Sequence, residues 1–571
     1  MFKNFKKSNL IINVILAVFL MIAVTSCGSE ESASSDLNTP IESTGDSDKK
    51  IAPKLLEQKD SDSLSNKEKG GVLKRLWADP ATLDPHLVTD TTSAGLVVEL
   101  FSGLVSLNSS LEIVPELAES WEISDDGKVY TFKLRDGILF SDGSPITARD
   151  FKWSFERAAH PDTESPVASI YLEDIVGSME VIDGDGSITD ISGVKIIDDS
   201  TLQITIDAPK AYFLAKLTYP TAYVLKKNNV DQNGDDWTDS PIGTGPFVMY
   251  EYRIGEVLVI RRNDYYWGEK ARLDGVEYNL AGGQAMSMYE NDEIDITGVG
   301  LADLERVKDV NDPLNSDLVS VPPSFTVSYI GFNVKKPPFD DVKFRLALNY
   351  AVDKQLIASQ VYSDLVKPAY GILPPNFPGF SVDITGIEFD PDKAVQLLSE
   401  SKYADPSTRP LIVVTVPGTG GSPSLDMEVV SDMWDRILGI QIEIQQVEWA
   451  TYLQDLHRRR LQVWGGSGWQ ADYPDPQDFI DILFHTESTN NHGNYSNTDA
   501  DKFLEDARTE QDIYKRINLY NKAEQLIIDD APWLPMWFDQ EGLALIKPWV
   551  KGFNFTPMIV PKMKEVYIDK S

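Results

Sequence analysis

The chain has 571 residues, 42% of them hydrophobic and 10% aromatic, which is typical of a soluble globular protein large enough to form more than one lobe. Its formal net charge of -37 argues against nucleic acid as a partner and against direct adhesion to an anionic membrane. The single cysteine cannot form a disulfide within the chain.

The first 26 residues have the form of a secretory signal peptide. Three lysines precede an apolar run from about residue 10 to about residue 24, which is too short to be taken first as a membrane-spanning helix. The run ends in VTSC at residues 24–27, which resembles the lipobox of bacterial lipoproteins. We therefore predict cleavage after residue 26 and lipidation of Cys27. The alternative is a chance cysteine at the end of an ordinary signal peptide.

Residues 27–70 are predicted to be a flexible linker. The segment is rich in Ser, Asp, Glu and Lys and contains no Phe, Trp or Tyr. Such a segment cannot bury enough apolar surface to offset the entropy lost on ordering. It would let the folded part stand off the membrane while two or three acyl chains hold the anchor.

Short strands and capped helices follow one another from about residue 73 onward. Apolar and polar residues alternate at 130–134 and again at 202–206, which predicts half-buried strands. Thr147 and Asp150 have the spacing of a capping box and predict a helix that carries Phe151 inward, with Ser154 and Phe155.

Two further helices are predicted in the second half of the chain. Asp340 is predicted to cap one of them and Thr498 the other. Their inward residues are predicted to be Val342, Leu346 and Tyr350 in the first helix, and Leu504 and Ala507 in the second. Strands and helices mixed in this way indicate an α/β architecture.

The sequence contains no pattern that supports catalysis or a metal site. None of the five histidines forms a helix-spaced zinc pair, and Val194 stands where a calcium loop beginning at Asp183 would need an acid. The segment around Ser467 lacks the last glycine of a nucleophile elbow. We therefore predict no metal, no cofactor and no enzymatic activity.

Several sequence blocks, in order, resemble the family of extracellular solute-binding proteins that serve peptide importers. The most specific stretch combines PELAESW at 115–121, SDDG at 124–127, YTFKLR at 130–135 and FSDGSP at 140–145. The other blocks are TLDPH at 82–86, LFSGL at 100–104, GTGPF at 243–247, RNDYYW at 262–267, GFN at 331–333, PPFDDV at 337–342, GWQADYPDP at 468–476 and KPWV at 547–550. The similarity covers nearly the whole chain from residue 73 to the end.

The resemblance implies an α/β fold with two lobes, the type II (cluster C-like) periplasmic-binding-protein fold, with an extra inserted subdomain. The lobes would close on a ligand held between them, and closure would change the surface that an importer recognises. The expected division is 1–26 signal peptide, 27–70 lipidated cysteine and linker, 71–101 with 241–326 and 534–571 as the first lobe, 102–240 as the inserted subdomain, and 327–533 as the second lobe.

The resemblance also implies a binding site for the common parts of a peptide. In this family the aspartate of the W-x-A-D-Y motif pairs with the amino end of the ligand, and the matching residue is Asp472. Contacts to the peptide backbone come from the residues around that aspartate and from the loop after Asp84-Pro85-His86. The predicted ligand-binding residues are therefore Asp472, Trp469, Gln470, Gly468, Trp449, Thr89 and Thr91.

Each of these predictions has a structural alternative. Asp472 would otherwise cap a turn, as we expect for Asp475 and Asp478. Trp449 would otherwise be an ordinary core residue, and Trp469 fits either the pocket wall or the core.

At two positions the sequence departs from the family. These departures leave undecided how the carboxyl end of the ligand is bound and how long the ligand is. Enteric oligopeptide binders carry an arginine six residues before the aspartate, where this chain has Gly466, and a tyrosine after Ser-Pro, where it has Val167. The three arginines at 458–460 either supply positive charge to the ligand or form a solvated face, which is the more common role of a charge run.

The resulting prediction is a monomeric, lipid-anchored substrate-binding protein of an ABC importer. It would lie in the cell envelope, face the periplasm or the extracellular space, capture oligopeptides and deliver them to a permease. The alternatives are the same fold binding a nickel chelate, an oligosaccharide or a signalling peptide, an extracellular hydrolase, and a surface chaperone or adhesion protein.

Overall fold

The computed structural model describes residues 70–418, 420 and 422–570. The predicted signal peptide, Cys27 and all of the predicted linker except Gly70 lie outside these residues. In the part of the chain that is described, no helix is both long and apolar enough to cross a bilayer.

The strands and helices of the described residues alternate along the chain. The strands are β1 (Val72–Leu76), β2 (Val105–Leu107), β3 (Ile113–Pro115), β4 (Ala118–Ile123), β5 (Val129–Leu134), β6 (Val194–Asp198), β7 (Thr201–Thr205), β8 (Phe247–Arg253), β9 (Val257–Arg262), β10 (Gly275–Asn279), β11 (Ile296–Gly298), β12 (Leu318–Val321), β13 (Thr326–Phe332), β14 (Val366–Pro368), β15 (Ile412–Pro417), β16 (Ile442–Val447), β17 (Val463–Gln470), β18 (Trp533–Asp539), β19 (Gly542–Ile546), β20 (Val550–Lys551) and β21 (Tyr567–Ile568). The α-helices are α1 (Thr91–Leu100), α2 (Ala148–Ala159), α3 (Ala168–Leu172), α4 (Ser178–Ile182), α5 (Phe213–Lys216), α6 (Lys227–Asn233), α7 (Ala285–Glu290), α8 (Leu301–Lys308), α9 (Val342–Tyr350), α10 (Lys354–Leu356), α11 (Pro391–Glu400), α12 (Leu425–Leu438), α13 (Trp449–His457), α14 (Ile480–Phe484), α15 (Thr498–Thr509) and α16 (Ile513–Asp530).

Three large sheets organise these elements. The seven-stranded sheet has the order β12-β19-β11-β1-β10-β9-β8, the six-stranded sheet β14-β18-β13-β17-β15-β16, and the four-stranded sheet β4-β5-β7-β6. β1 runs parallel to β10 and β11, and β15 runs parallel to β16 and β17, whereas the four-stranded sheet is antiparallel throughout. Mixed sheets flanked by helices are the α/β architecture that the sequence predicted.

The four-stranded sheet contains both strands predicted from alternation. β5 buries Tyr130, Phe132 and Leu134, and β7, which pairs with β5, buries Leu202 and Ile204. These side chains face one core because alternate residues of a strand point to the same side. The prediction of two half-buried strands is confirmed.

The capping box before α2 is also confirmed. The Asp150 carboxylate accepts a hydrogen bond from the backbone N–H of Thr147 at 2.8 Å, and the helix buries Phe151 and Phe155. Satisfying the free N–H groups at a helix start is what stabilises such an end.

The caps of the other two predicted helices lie one residue away from their predicted positions. Asn497, not Thr498, precedes α15, and its side chain accepts hydrogen bonds from the first turn. Asp341, not Asp340, caps α9, and the Asp340 carboxylate instead accepts a hydrogen bond from the hydroxyl of Tyr403.

The predicted inward stripe of α9 is wrong for Val342, whereas Leu346 and Tyr350 pack against the core as partly buried residues. Phe344 and Leu348 are fully buried, whereas Val342 is 37% exposed, and Leu346 and Tyr350 are only half-buried. The face that packs inward is thus centred two residues away from the predicted one, about 200° around the helix.

The chain crosses between sheets later than the sequence predicted. Residues 534–571 were assigned to the first lobe, yet β18 pairs with β13 and β14 inside the six-stranded sheet. The crossing to the seven-stranded sheet occurs only at β19, which pairs with β11 and β12. The division of the chain into two closing lobes itself stays a prediction.

The corrected cap of α9 gives a matched pair of variants. The Asp341 carboxylate accepts the backbone N–H of Lys343 at 2.8 Å and that of Lys402 at 2.7 Å. We expect Asp341→Ala to lower the free energy of unfolding by about 1–2 kcal/mol, because it removes a helix cap. Asp340→Ala removes exposed contacts and should cost less than about 0.5 kcal/mol. Urea unfolding of both variants checks this, and equal effects would contradict the assignment of the cap.

Candidate functional site

A cavity of about 430 Å³ lies where elements next to all three large sheets meet. Its wall includes the start of α1, the α3 segment of the inserted region, and α13 with the end of β17. The volume lies within the range of about 300–1,000 Å³ that is usual for ligand pockets.

All seven residues predicted to bind ligand line this one cavity. Their distances along the chain are large, so their convergence is a property of the fold. They are Thr89, Thr91, Trp449, Gly468, Trp469, Gln470 and Asp472. That each of them contacts a ligand stays a prediction.

The end of β17 presents an open strand edge to the cavity. β15 pairs with β17 only at Val463 and Trp464, whereas β13 pairs with it as far as Gln470. Beyond Trp464, no strand of the described residues pairs with the other side of β17. Backbone N–H and C=O groups on that side are therefore available to an extended chain, which is how β-strand addition binds peptides.

Two glycines make this edge possible. Gly466 has a φ of +69°, a left-handed conformation that an arginine or other side chain adopts only with strain. A Cβ atom at Gly468 would lie 2.6 Å from the carbonyl oxygen of Val327, so a larger residue does not fit there. Gly466 also lines the cavity, at the position where enteric oligopeptide binders carry an arginine.

Asp472 lies just after β17 and joins two separate parts of the chain. The hydroxyl of Tyr171, on α3, donates a short hydrogen bond to Oδ2 of Asp472. The backbone N–H of Asp472 donates to Oδ2 of Asp478 at 2.9 Å, which fixes the turn. The side chain is half-buried in the cavity wall.

Tyr171 was missed by the sequence analysis. Its ring stacks on Tyr219 with 3.8 Å between centroids and meets the edge of Tyr473 at 6.3 Å, and it is 1% exposed. Val167, the residue that replaces the family's pocket tyrosine, lies one helical turn earlier and also lines the cavity. The only sequence feature that could have indicated Tyr171 is its place four residues after Val167, the position of the family's pocket tyrosine.

The surroundings of Asp472 are acidic. Burial raises its pKa to about 7, and the hydrogen bond from Tyr171 opposes the rise. Burial and the neighbouring Asp472 carboxylate raise the pKa of Asp478 well above its usual range. Asp90 and Asp539 also line the cavity, and no lysine or arginine does so among the described residues. The site thus lacks a cation next to its carboxylates.

The neighbouring aspartates have the structural roles that were expected. Asp475 caps the short helix that follows it and forms an ion pair with Arg516 at 2.5 Å. Asp478 is buried and holds the backbone of Asp472, as described above. Of the three, Asp472 is the one whose carboxylate lines the cavity.

Both predicted tryptophans, Trp449 and Trp469, lie in the cavity wall, and their indole N–H groups are available for hydrogen bonds. Their indole Nε1 atoms are buried and have no hydrogen-bond partner in the described part of the chain. Trp449 stacks on Tyr452 with 5.6 Å between ring centroids, and the Tyr452 hydroxyl lies 2.7 Å from the hydroxyl of Ser467. Each ring therefore offers an apolar face and a donor.

A histidine pair forms another polar part of the wall. Nε2 of His492 lies 3.2 Å from Nδ1 of His457. Burial lowers the pKa of His457 to about 4, so both rings are neutral at pH 7. Among the described residues, no three His, Cys, Asp or Glu side chains are placed to hold a metal ion.

The arginine run at 458–460 does not line the cavity. Arg458 and Arg460 are exposed, and Arg459 donates a hydrogen bond at 2.8 Å to the backbone carbonyl of Ser488. For the two outer arginines, the interpretation as a solvated face agrees with this exposure.

Residues 112–491 match the bacterial extracellular solute-binding proteins, family 5 (middle). This chain belongs to that family. Its α/β fold, with several sheets and an open strand edge over a cavity, is therefore the fold of a family 5 solute-binding protein, and family 5 proteins act outside the cytoplasm.

Relatives extend the match over most of this family 5 protein. It is 33% identical to the probable deoxycholate-binding periplasmic protein YgiS of Escherichia coli over 503 residues, 86% of this chain and 92% of that protein. It resembles a periplasmic oligopeptide-binding protein/oligopeptide ABC transporter (OppAIV) of Borrelia burgdorferi with a TM-score of 0.78, 29% identity, and coverage of 88% of this chain and 100% of that one.

Two structures of one relative report on how the parts of this family 5 protein are arranged. The structure of the E. coli murein tripeptide binding protein MppA matches with a TM-score of 0.79 at 30% identity, covering 88% of this chain and 99% of that one. An unliganded open form of MppA matches with a TM-score of only 0.61, covering 88% of this chain and 98% of that one. The described arrangement is therefore more similar to the first of these MppA structures than to the open form.

The raised pKa of Asp472 predicts a pH effect on the ligand-free protein. An aspartate in the unfolded chain has a pKa of about 3.9, so between pH 4 and 7 the folded protein binds more protons at Asp472. The protonated Asp472 side chain makes a stabilising contribution to the free energy of unfolding below about pH 4. This contribution is lost as pH rises through 7. Relative to the wild type, Asp472→Asn should become more stable as pH rises from 4 to 8, by up to about 4 kcal/mol.

Urea unfolding at several pH values measures this difference. Asp383→Asn, at an exposed aspartate, is the matched control and should track the wild type. A constant difference between Asp472→Asn and the wild type would show that the Asp472 pKa is not raised.

Proposed function

We propose that this protein is the extracellular receptor of an ABC importer and binds oligopeptides that have a free amino end. The observation that carries the proposal is Asp472, which lines the cavity beside the open edge of β17 where the described residues place no lysine or arginine. A free peptide offers the complementary groups, namely an ammonium and a repeating amide backbone. The protein is proposed to bind its ligand without chemical change.

The ammonium would pair with the carboxylate of Asp472. Oδ2 of Asp472 already accepts the Tyr171 hydroxyl, which leaves Oδ1 and the remaining lone pairs for the ligand. A cation at this place would stabilise the ionised carboxylate, which burial disfavours. Charge-assisted hydrogen bonds of this kind are about twice as strong as neutral ones.

The peptide backbone would add a strand to β17. The residues at that edge, Gly466 to Gln470, are also residues of the cavity wall. On the facing side, Thr89 and Thr91 flank the start of α1 and offer hydroxyl and backbone groups. Binding through main-chain groups leaves ligand side chains in pockets such as the one beside Trp449, so many sequences would be accepted.

Few hydrogen bonds tie the inserted region to the side of the six-stranded sheet, which suits a cleft that opens. Besides the bond from Tyr171 to Asp472, hydroxyl oxygens of Ser169 and Thr489 lie 3.0 Å apart, and the side chain of Gln511 donates a hydrogen bond to the carbonyl oxygen of Pro209 at 3.0 Å. The guanidinium of Arg516 also lies over the ring of Tyr212, 5.4 Å from its centroid. Neither of two buried ion pairs near this boundary crosses it. Lys216 pairs with Asp174 at 3.0 Å within the inserted region, and Arg508 pairs with Asp481 at 2.7 Å on the side of the six-stranded sheet. Separation of the two sides would break hydrogen bonds but no such ion pair.

A second candidate follows from the name of the YgiS relative, which describes deoxycholate binding. The charges of the cavity argue against it, because Asp90, Asp472 and Asp539 would repel the carboxylate of a bile salt. The same repulsion applies to any anionic ligand seated in this cavity. A peptide ligand fits the wall better because its amino end is positive.

Asp472→Asn tests the proposal directly. The variant keeps the shape of the side chain but removes its charge, so we expect the affinity for trialanine to fall by about two to three orders of magnitude. N-acetyl-trialanine, which lacks the ammonium, should bind weakly to both proteins and show no further loss in the variant. Isothermal titration calorimetry measures both peptides.

The control is Asp383→Asn, which should bind trialanine as the wild type does. Deoxycholate is titrated in parallel and is expected not to bind. Equal affinity of Asp472→Asn and the wild type for trialanine, or binding of deoxycholate in place of peptide, would overturn the proposed function.

We also propose that the protein is held at the outer face of a membrane through a lipidated Cys27, as a monomer. The support is the lipobox-like segment VTSC at residues 24–27 and the polar linker that follows. A soluble receptor domain on such a tether would stay near its permease.

Cys27→Ser tests the anchor. Without the acceptor thiol, the protein should appear in the soluble envelope or medium fraction instead of the membrane fraction, as measured by immunoblotting after fractionation. The mass of the mature wild-type protein should include two or three acyl chains on Cys27. An unmodified cysteine in membrane-bound protein would contradict the prediction.

A further inference from the structure

A second chamber of about 260 Å³ adjoins the cavity that holds Asp472. Two stretches of the chain run from the wall of one into the wall of the other, at residues 106–109 and 559–565. The residues that line both spaces are Ser106, Leu107, Tyr223 and Pro561. The two spaces are therefore neighbours that share part of their walls.

The two spaces differ in the charges that they offer. The wall of the first contains three aspartates and, among the described residues, no lysine or arginine. The wall of the second contains Lys562 and Lys564. A carboxylate on a peptide held by Asp472 would find no cation in the first space, and leaving it buried and unpaired there would be costly.

Lys562 is held in place by the same helix that reaches the first cavity. Glu99, in the last turn of α1, accepts hydrogen bonds from the backbone N–H groups of Lys562 at 2.8 Å and Met563 at 3.0 Å. The start of α1 carries Asp90 and Thr91 into the wall of the first cavity. One rigid helix thus sets the position of both ends of the combined space.

The ammonium of Lys562 forms no salt bridge within 4 Å in the described part of the chain, and the buried carboxylate of Glu99 attracts it from farther away. The Nζ atom of Lys562 lies over the ring of Phe553, 5.5 Å from the ring centroid, and the side chain is half-buried. Burial lowers its pKa to about 8, which still leaves most of the group protonated at pH 7. Lys564, in contrast, lies 3.7 Å from the carboxylate of Glu565.

The acidic residues of the chamber already have partners. Oε1 of Glu116 accepts hydrogen bonds from Ser102 at 3.1 Å, Tyr266 at 3.0 Å and Trp267 at 3.1 Å. Glu565 is exposed and pairs with Lys564, as noted. Lys562 is therefore the group of this chamber with capacity for a new anionic partner.

We propose that this chamber binds a carboxylate of the peptide ligand, with Lys562 as its main partner. The inference rests on the proposed function, since it assumes a peptide held at Asp472. The carboxylate comes from one of two sources, the carboxyl end of the peptide or an acidic side chain. In both cases Lys562 determines which peptides bind tightly.

The test compares Lys562→Met with the wild type by calorimetry. The probes are alanine peptides of increasing length with a free carboxyl end, the same peptides as carboxamides, and carboxamides that carry one glutamate. Methionine keeps the apolar stem of lysine and removes the charge. Lys551→Met, at an exposed lysine of the same C-terminal segment that does not line the chamber, is the control.

We expect Lys562→Met to weaken binding of one class of carboxylate by at least tenfold and to leave plain carboxamides unchanged. Loss confined to peptides with a free carboxyl end identifies the chain end as the ligand group, and it should begin at the length at which that end reaches the chamber. Loss confined to glutamate-containing carboxamides identifies an acidic side chain. Lys562→Arg should retain the wild-type affinities, because it keeps the charge.

Other outcomes overturn the proposal. One such outcome is that alanine peptides bind through Asp472, but Lys562→Met has the same affinities as the wild type for peptide acids and for carboxamides. The chamber then does not bind a carboxylate, although the proposed function stands. If no peptide binds the wild type, both proposals fail. A loss of binding for plain carboxamides as well would mark Lys562 as a structural residue only.

Discussion

Asp472 lies in a cavity wall to which residues 70–418, 420 and 422–570 contribute no lysine or arginine, and the hydroxyl of Tyr171 holds its carboxylate from another part of the chain. A carboxylate taken out of water is unfavourable unless it is protonated or paired, which is why its pKa rises to about 7. The remaining features of the site are arranged around this group. The open strand edge ends beside it, and the aromatic stack of Tyr171 on Tyr219 shields it.

Two glycines, Gly466 and Gly468, shape the edge of β17 that is proposed to bind the ligand. The left-handed conformation of Gly466 lets β17 leave β15 while it stays paired with β13. The close approach of Gly468 to Val327 then leaves no room for a side chain. The resulting edge offers backbone groups to a ligand, and such groups are common to all peptides. Selectivity must therefore come from the charges at the ends of the site and from the pockets along it.

The charges of the two adjoining spaces complement the two ends of a zwitterionic chain. The acidic end is built from residues far apart in sequence, and the basic end from the C-terminal segment that α1 positions through Glu99. Ion pairs near the cleft stay within one side each, as with Arg508 and Asp481. Opening of the cleft would break the hydrogen bond from Tyr171 to Asp472, the proposed ligand group, but these buried ion pairs would keep their partners.

The sequence alone determined those features that arise from short-range interactions. Alternation predicted the strands around Phe132 and Leu202, and the Thr147–Asp150 spacing predicted the start of α2, because both patterns follow from the geometry of neighbouring residues. The ordered motifs indicated the family and pointed to the segment at 468–476. They also selected seven residues that line one cavity.

Only the tertiary structure decided which distant elements meet. The contact of Tyr171 with Asp472, the place of β18 in the six-stranded sheet and the proximity of Lys562 to the cavity all join residues far apart in the chain. No local pattern encodes these contacts, because they depend on how sheets and helices pack as whole units. The cap of α9 shows the same limit at short range. Asp340 and Asp341 are equivalent in sequence, and the choice of Asp341 is tied to its second bond, to the distant backbone of Lys402.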